Sequence, residues 1–455
     1  MKRAFLLSTL FICSIVLFAY PKVTLAELNN GGWERYKGQT ITITTTLYVN
    51  ALMFDSILVA PERLFVPEER CGLDLAKGDS TTYYYWKHYN DSLRIKLECR
   101  YPYDLNIGAT IRNLTAQVAG VRHLQSGHQP TFKNFKPSKK LPDLGDANLV
   151  ICAANVENYF TRLGGYATKK VTQGQHALQE LKVATALHKL NADIYCLCEL
   201  QQGDEAPAEI VAKMNKIAKK DIYAFVLTDT IDRDTISVGY LYRKDKVRPV
   251  GDLCYAYDNL DNVYAHRFML QGFEDIKTGE QLVISVNHPK SKRGGGYKSN
   301  ASRVKNIAHV LSCLAKAYRN GIYTDRDVLL VGDYNAYGKE ESVQRLVAAG
   351  FTDLVAKYAG LDYSYTFNGE LGFLDRAFAS PTMIPQITAV KPVHWNTDFH
   401  YSASYKYKYN YKNRNIPKDA PKDIRKLLSP EAKRNLIFRY SDHDPLLIGV
   451  KLRSW

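Results

Sequence analysis

Between Leu149 and Leu452 the chain repeats one pattern, a short apolar run that stops at a polar side chain. The runs are Leu149–Ala153, Ala192–Leu197, Ile236–Tyr242, Leu282–Val286, Val328–Val331, Leu374–Ala379 and Leu446–Leu452. They read as buried strands. Between them, His176–Leu190 and Ser302–Tyr318 set apolar residues at threes and fours, the spacing of helices. Many strands with few helices predict an α/β or α+β unit over residues 147–455.

The chain ahead of it differs. From Gly38 to Tyr103 it is rich in Thr, Val, Ile, Leu and Tyr, and Thr40-Ile41-Thr42-Ile43-Thr44 alternates as a half-buried strand does. A small all-β domain is predicted over 27–125; an OB-like five-stranded barrel is one form open to it, as nucleic-acid platform or as scaffold. Residues 126–146 hold several Pro, Lys, Gly and Asn residues without periodicity and read as a linker. The first 26 residues read as an export signal: Lys2 and Arg3, an apolar stretch from Ala4 to Tyr20, and Thr24-Leu25-Ala26 as the cleavage site. A membrane anchor is the rival, but Pro21 and Lys22 close a short stretch. The expected destination is periplasmic or extracellular. No later segment is long and apolar enough to span a bilayer, so no stable membrane insertion is expected after cleavage.

Eight cysteines include Cys13 in the signal. Cys71 and Cys99 suit a disulfide in an exported protein. Cys196 and Cys198, read as facing opposite sides of a strand, are expected to be buried, inert thiols rather than a metal pair. The net charge of +15 favours a polyanionic partner, or only a soluble basic surface.

The polar ends of the apolar runs carry the functional reading, because loops at strand ends are where a rigid scaffold presents reactive groups. Asn155 follows the first run and Glu199 the second. Asn287-His288 follows the fourth, Asp333-Tyr334-Asn335 the fifth, Asp375 lies in the sixth, and Asp442-His443 precedes the last. Asp333 and Asn335, at strand spacing, would point the same way, or would be ordinary turn formers. His288 stands before Lys290, Lys292 and Arg293, which suits phosphate contact. His443 between carboxylates can serve as a general base with Asp375 to orient it. There is no Gly-x-Ser-x-Gly elbow and no His-Glu-x-x-His motif, so water is the natural nucleophile. Glu199 is the best single metal-ligand candidate; oxygen ligands select Mg²⁺, Mn²⁺ or Ca²⁺ over zinc.

In this order the residues resemble the endonuclease/exonuclease/phosphatase superfamily, which includes DNase I. Asn155-Val156-Glu157-Asn158-Tyr159-Phe160 is similar to the Asn-Val-x-Asn-Tyr-Phe opening of its secreted bacterial nucleases. The resemblance implies a four-layered α/β sandwich. It implies a metal region of Glu199, Asn155 and Asp442, with Glu199 the principal ligand. His288 and His443 would be the catalytic histidines, Asp375 the partner of His443 and Asp234 that of His288. Asp333 and Asn335 would face the scissile phosphate, and Arg267 would contact it. Cys198 departs from the hydrophobic residue or Gln usual before the key glutamate.

The expected activity is Mg²⁺-assisted hydrolysis of phosphodiester bonds in DNA, RNA or both. Its alternatives are a sphingomyelinase or inositol-phosphate phosphatase of the same superfamily, and an inactive nucleic-acid-binding module. No exposed aromatic hairpin for membrane contact is evident, and no protein partner is expected. Tyr405-Lys406-Tyr407-Lys408-Tyr409-Asn410-Tyr411-Lys412 suits stacking on bases, or is a solvated loop.

Overall fold

A computed structural model describes residues 20–71, 81–102, 104–165, 171–228, 236–257, 265–293, 296–405, 428 and 430–452. The greater part of the signal segment (residues 1–19), Asp234, Gly294-Gly295 and most of the Tyr/Lys-rich stretch (406–427) lie outside them.

The N-terminal unit runs β1 (Lys22–Val23), α1 (Leu25–Glu27), α2 (Trp33–Arg35), β2 (Thr40–Ile43), β3 (Leu47–Leu52), β4 (Ser56–Ala60), α3 (Pro67–Arg70), α4 (Thr81–Leu93), β5 (Ile95–Glu98), β6 (Thr110–Ile111), β7 (Leu114–Gly120), β8 (His123–Gln125) and β9 (Phe132–Lys133). Its strands form one sheet in the order β1-β2-β7-β8-β5-β4-β3-β6-β9. β2 and β3 follow one another in sequence but lie on opposite sides of that order, so the sheet curls towards a barrel. β5 and β8 pair parallel, and the pairs β2–β7, β7–β8, β3–β4 and β4–β5 are antiparallel. Alternation does the local work: Ile41, Ile43, Leu47, Val49, Ile57, Val59, Ile95 and Leu97 all turn into one core. The unit is not all-β, because the 13-residue α4 interrupts it. Its Thr-Thr-Tyr-Tyr-Tyr-Trp opening has no amphipathic period to announce a helix.

Two boundaries differ from the reading of the sequence. Val23 and Leu25 are buried in the N-terminal core, and Thr24 caps α1 in a reciprocal pair with Glu27. Residues 22–26 are thus part of the domain. The stretch 126–146 is a packed strap: Phe132–Lys133 pairs with β6, Trp395 donates to Ser138 O at 3.0 Å, and Thr388 donates to Leu144 O at 2.6 Å.

The second unit runs β10 (Leu149–Tyr159), α5 (Gln173–Leu190), β11 (Ile194–Gln201), α6 (Glu205–Ala218), β12 (Tyr223–Phe225), β13 (Ile236–Arg243), β14 (Val247–Tyr255), β15 (Phe268–Asp275), β16 (Gln281–Asn287), α7 (Gly296–Arg319), β17 (Val328–Asp333), α8 (Glu341–Ala348), β18 (Thr352–Asp353), β19 (Tyr365–Phe367), β20 (Glu370–Gly372), β21 (Asp375–Ala379), β22 (Ile387–Pro392), α9 (Pro430–Arg434) and β23 (Leu446–Val450). Two six-stranded sheets, β12-β13-β11-β10-β23-β22 and β14-β15-β16-β17-β21-β18, face each other. Ile151, Ile194, Cys196, Cys198 and Ile448 of the first meet Met269, Ile284, Val286, Leu329 and Val331 of the second. The opposite faces take helices: Cys152, Tyr195 and Leu197 pack on α5 and α6, and Val283, Leu330 and Phe378 on α7 and α8. Helix, sheet, sheet, helix is the predicted four-layered sandwich.

The cysteine expectations change. Cys196 and Cys198 share one face, as residues two apart in a strand must, and point together into the core between the sheets. Both are inert: burial pushes their thiols well above the ordinary range. Cys71 and Cys99 are free thiols, not a disulfide. Cys71 ends α3 and donates to Pro67 O at 3.4 Å, whereas Cys99 is buried in the N-terminal core.

Candidate active site

The ends of β10, β11, β16 and β17 and the start of β21 deliver polar side chains to one cluster, and most leave strand geometry to do so. The β10–β11 register breaks between Asn155 and Tyr159, with Glu157 and Asn158 at φ 56° and 55°. The β11–β13 register breaks between Cys198 and Leu200, with Glu199 at φ 66°. Bulges of this kind re-aim side chains. Asn158 N–H donates to Glu199 Oε2 at 2.8 Å and fixes the carboxylate. On β17, Gly332 has φ 134°, and a Cβ there would stand 2.1 Å from Asn287 O. Only glycine lets the backbone pass β16 into Asp333. Asn335 follows at φ 49°, its N–H donating to Asp333 Oδ1 at 2.8 Å. Left-handed backbone at non-glycine residues costs about 1–3 kcal/mol each, and its concentration here marks a site rather than a scaffold.

Glu199, His288 and Asp333 each offer one ligand atom, all within 4.8 Å of one another. His288 Nε2 lies 3.5 Å from Asp333 Oδ2 and 3.9 Å from Glu199 Oε1. Asn155 Nδ2 donates to Asp333 Oδ2 at 3.1 Å, and Asn155 Oδ1 accepts from Glu157 N–H at 2.9 Å. Beyond Asp333 stands His443, with Nε2 3.9 Å from Asp333 Oδ2 and Nδ1 2.7 Å from Asp375 Oδ2. Asp375 fixes the ring by accepting from Nδ1–H, leaving Nε2 turned to the cluster. Tyr365 stacks on the other ring face, with centroids 4.5 Å apart.

The two histidines are driven in opposite directions. Burial lowers His288 well below its ordinary range, and the charges of Arg267 and His443 add to that. Its neutral imidazole can coordinate or donate. Burial acts the same way on His443, but Asp375, Asp333 and Asp442 outweigh it and hold the imidazole charged. Asp333 is raised to about 7 by burial, against the pull of His443. A buried and a half-buried carboxylate beside one neutral imidazole make a donor set for a divalent cation, whose charge would relieve the crowding.

The remaining expectations fall out unevenly. Asp375 and His443 meet as predicted. Asn155 stands beside the three-ligand group and braces Asp333, and Asp442 is half-buried outside that group, acting through its charge on His443 and Tyr365. Asn335 is not on strand spacing with Asp333; its amide donates to Pro289 O at 3.2 Å. Arg267 lies beside His288, its carbonyl accepting from the His288 N–H at 2.9 Å. Lys292 is ion-paired with Glu340 and lies over the Tyr337 ring, so it is not a free phosphate contact. Lys290 sits in a turn anchored by Asn306 and Arg303, and Arg293 is exposed. Tyr365 was not legible beforehand: a tyrosine in a short hairpin carries no spacing signal.

Residues 155–367 match the model of the Endonuclease/Exonuclease/phosphatase family. No curated protein matches the chain by sequence. Similar solved structures include an endonuclease/exonuclease/phosphatase from Bacteroides vulgatus, 14% identical with a TM-score of 0.42 over 67% of this chain and 99% of its own. A mannosyl-6-phosphatase from Bacteroides thetaiotaomicron is 16% identical, with a TM-score of 0.43 over 67% and 100%. The human Nocturnin catalytic domain with bound sulfate is 12% identical, with a TM-score of 0.43 over 69% and 97%.

Proposed function

For this site of an endonuclease/exonuclease/phosphatase domain, a family of hydrolases acting on phosphoester bonds, we propose Mg²⁺-assisted cleavage of phosphodiester bonds in DNA, RNA or both, by an exported nuclease. The observation that carries the reading is the pairing of an oriented histidine, His443 on Asp375, with the Glu199–His288–Asp333 donor group across Asp333. Glu199 and Asp333 would hold the cation, with Mn²⁺ or Ca²⁺ as substitutes, and His288 completes the donor set. When bound, it supplies Lewis-acid stabilisation of the phosphoryl oxygens. His443 takes the proton of the attacking water at Nε2, which requires a neutral ring. Asp333 is one of the carboxylates holding that ring charged, so neutralising Asp333 prepares the base. Arg267, beside His288, supports the phosphate. The surplus of positive charge, +15, suits a polyanionic substrate.

The test is digestion of circular DNA and of RNA, with and without EDTA, by the wild type and by a His288→Ala plus His443→Ala double variant. The expected loss is at least about 10²–10⁴-fold. Undiminished cleavage by the double variant would sink the assignment.

A second reading, hydrolysis at a lipid surface, gains support from exposed aromatic tips not foreseen in the sequence. Phe54 on the β3–β4 hairpin is fully exposed, and Phe367 on β19–β20 is 58% exposed. Parallel assays on plasmid DNA and on sphingomyelin vesicles separate the two.

A further inference from the structure

Behind the cluster, the N-terminal unit inserts one carboxylate into the catalytic unit. Arg376 follows Asp375 on β21 and is 1% exposed. Its guanidinium donates through Nη2 to Asp353 Oδ2 at 2.6 Å. Through Nη1 it donates to both Glu69 oxygens, at 3.3 and 3.4 Å, and to Phe373 O at 3.0 Å.

Glu69, in α3, does more than balance that charge. Its Oε1 accepts from Phe373 N–H at 2.7 Å and its Oε2 from Gly338 N–H at 3.2 Å. Phe373 leads into Asp375, and Gly338 ends the loop that leaves Asp333 and Asn335. One side chain from the first domain therefore ties together two segments of the second, each bearing a residue of the cluster. The joint has no slack: a Cβ on Gly338 would stand 2.8 Å from both Glu69 Oε2 and Arg376 Nη2. The helix that carries Glu69 is itself pinned across the junction. Val66 N–H donates to Leu371 O at 2.9 Å, Leu371 N–H to Leu64 O at 2.8 Å, and Lys339 N–H to Glu68 O at 2.9 Å. Deleting the carboxylate would strip two buried N–H groups of their acceptor and leave the guanidinium one partner short.

We propose that Glu69 is a positioning residue for the active site, setting the spacing between the Asp333–Asn335 loop and the Asp375 strand, and hence the stance of His443 over Asp333. The N-terminal unit is then part of the catalytic apparatus as well as a neighbour to it. This rests on the hydrolysis proposed above.

The test uses the full chain with Mg²⁺ and bis(p-nitrophenyl) phosphate. Glu69→Ala should lower kcat about tenfold to hundredfold while KM moves less than about threefold, because geometry rather than substrate contact is lost. Glu69→Gln, which keeps an acceptor for Phe373 N–H, should recover part of the rate. Asp353→Asn removes the other carboxylate from Arg376 while Phe373 N–H and Gly338 N–H keep Glu69 as their acceptor, so it should lower the melting temperature and keep kcat within about twofold. The downfield Nδ1–H proton resonance of His443 on Asp375 should be lost or displaced in Glu69→Ala. Should Glu69→Ala fail to fold, the comparison of Glu69→Gln with Asp353→Asn decides. Unchanged kcat and an unmoved resonance in the Glu69 variants overturn the proposal, as does an equal loss of kcat in Asp353→Asn. An inactive wild type overturns the hydrolysis reading instead, and the resonance alone then decides the positioning.

Discussion

At the scale of single residues, charge and backbone constraint decide more than residue type. His443 and His394 are both half-encircled by carboxylates. His394 Nε2 lies 3.2 Å from Asp362, and its Nδ1 lies 3.0 Å from Asp444. Burial works against its charge, yet these partners hold its pKa up at about 10, above the ordinary 6.5. A folded value above the unfolded one stabilises in full below pH 6.5 and fades as pH rises through about 10. His394→Gln should therefore melt lower than the wild type at neutral pH, and the gap should close towards pH 10 in a pH series of thermal melts. A gap independent of pH would refute the pairing. Gly332 is decided by space: Gly332→Ala should lose on the order of 3 kcal/mol in urea unfolding, since strain and a backbone clash coincide. Asp333, Asp375 and His443 were legible in the sequence because chemically apt residues stood after, within or just ahead of successive apolar runs. The bracing role of Asn155 and the capture of Lys292 by Glu340 were not, because each depends on a neighbour remote in sequence.

At the scale of elements, the buried strands declared themselves and the edges did not. Ile194–Gln201 and Val328–Asp333 are almost wholly buried, so their composition alone marks them. β14, an edge strand, carries Pro249, Gly251 and Asp252 and is largely open to solvent, which hides it among loop sequences. α6 is amphipathic and buries Ala206, Ile210 and Met214, but its Pro207 near the start resembles a break. β1 and α1 have a testable consequence for export. Cleavage after Ala26 would remove Val23 and Leu25 from the core, about 1.5–3 kcal/mol of burial each. If the chain is exported and cleaved as proposed, the mature form should begin ahead of Lys22, as intact-mass measurement would show. A homogeneous start at Glu27 in a stable, active protein would contradict this.

At the scale of the molecule, the sandwich was legible from periodicity and from family resemblance, whereas the union of the two units was not. That union rests on Arg63 to Asp398 at 2.6 Å, Arg94 to Glu370 at 2.8 Å, Asn90 to Glu370 at 2.9 Å and the Glu69 joint. No local pattern announces contacts between residues some three hundred positions apart. Such a junction predicts one cooperative unfolding transition in calorimetry for the full chain; two resolved transitions would show that the units fold independently. A last consequence lies in the order of β10 within its sheet. The first strand of the catalytic unit is flanked by β11 and by β23, with Leu149 opposite Val450. Its sheet therefore closes only when the last strand has been synthesised, and His443 arrives just ahead of it. A nascent chain that still lacks β23 holds no assembled site.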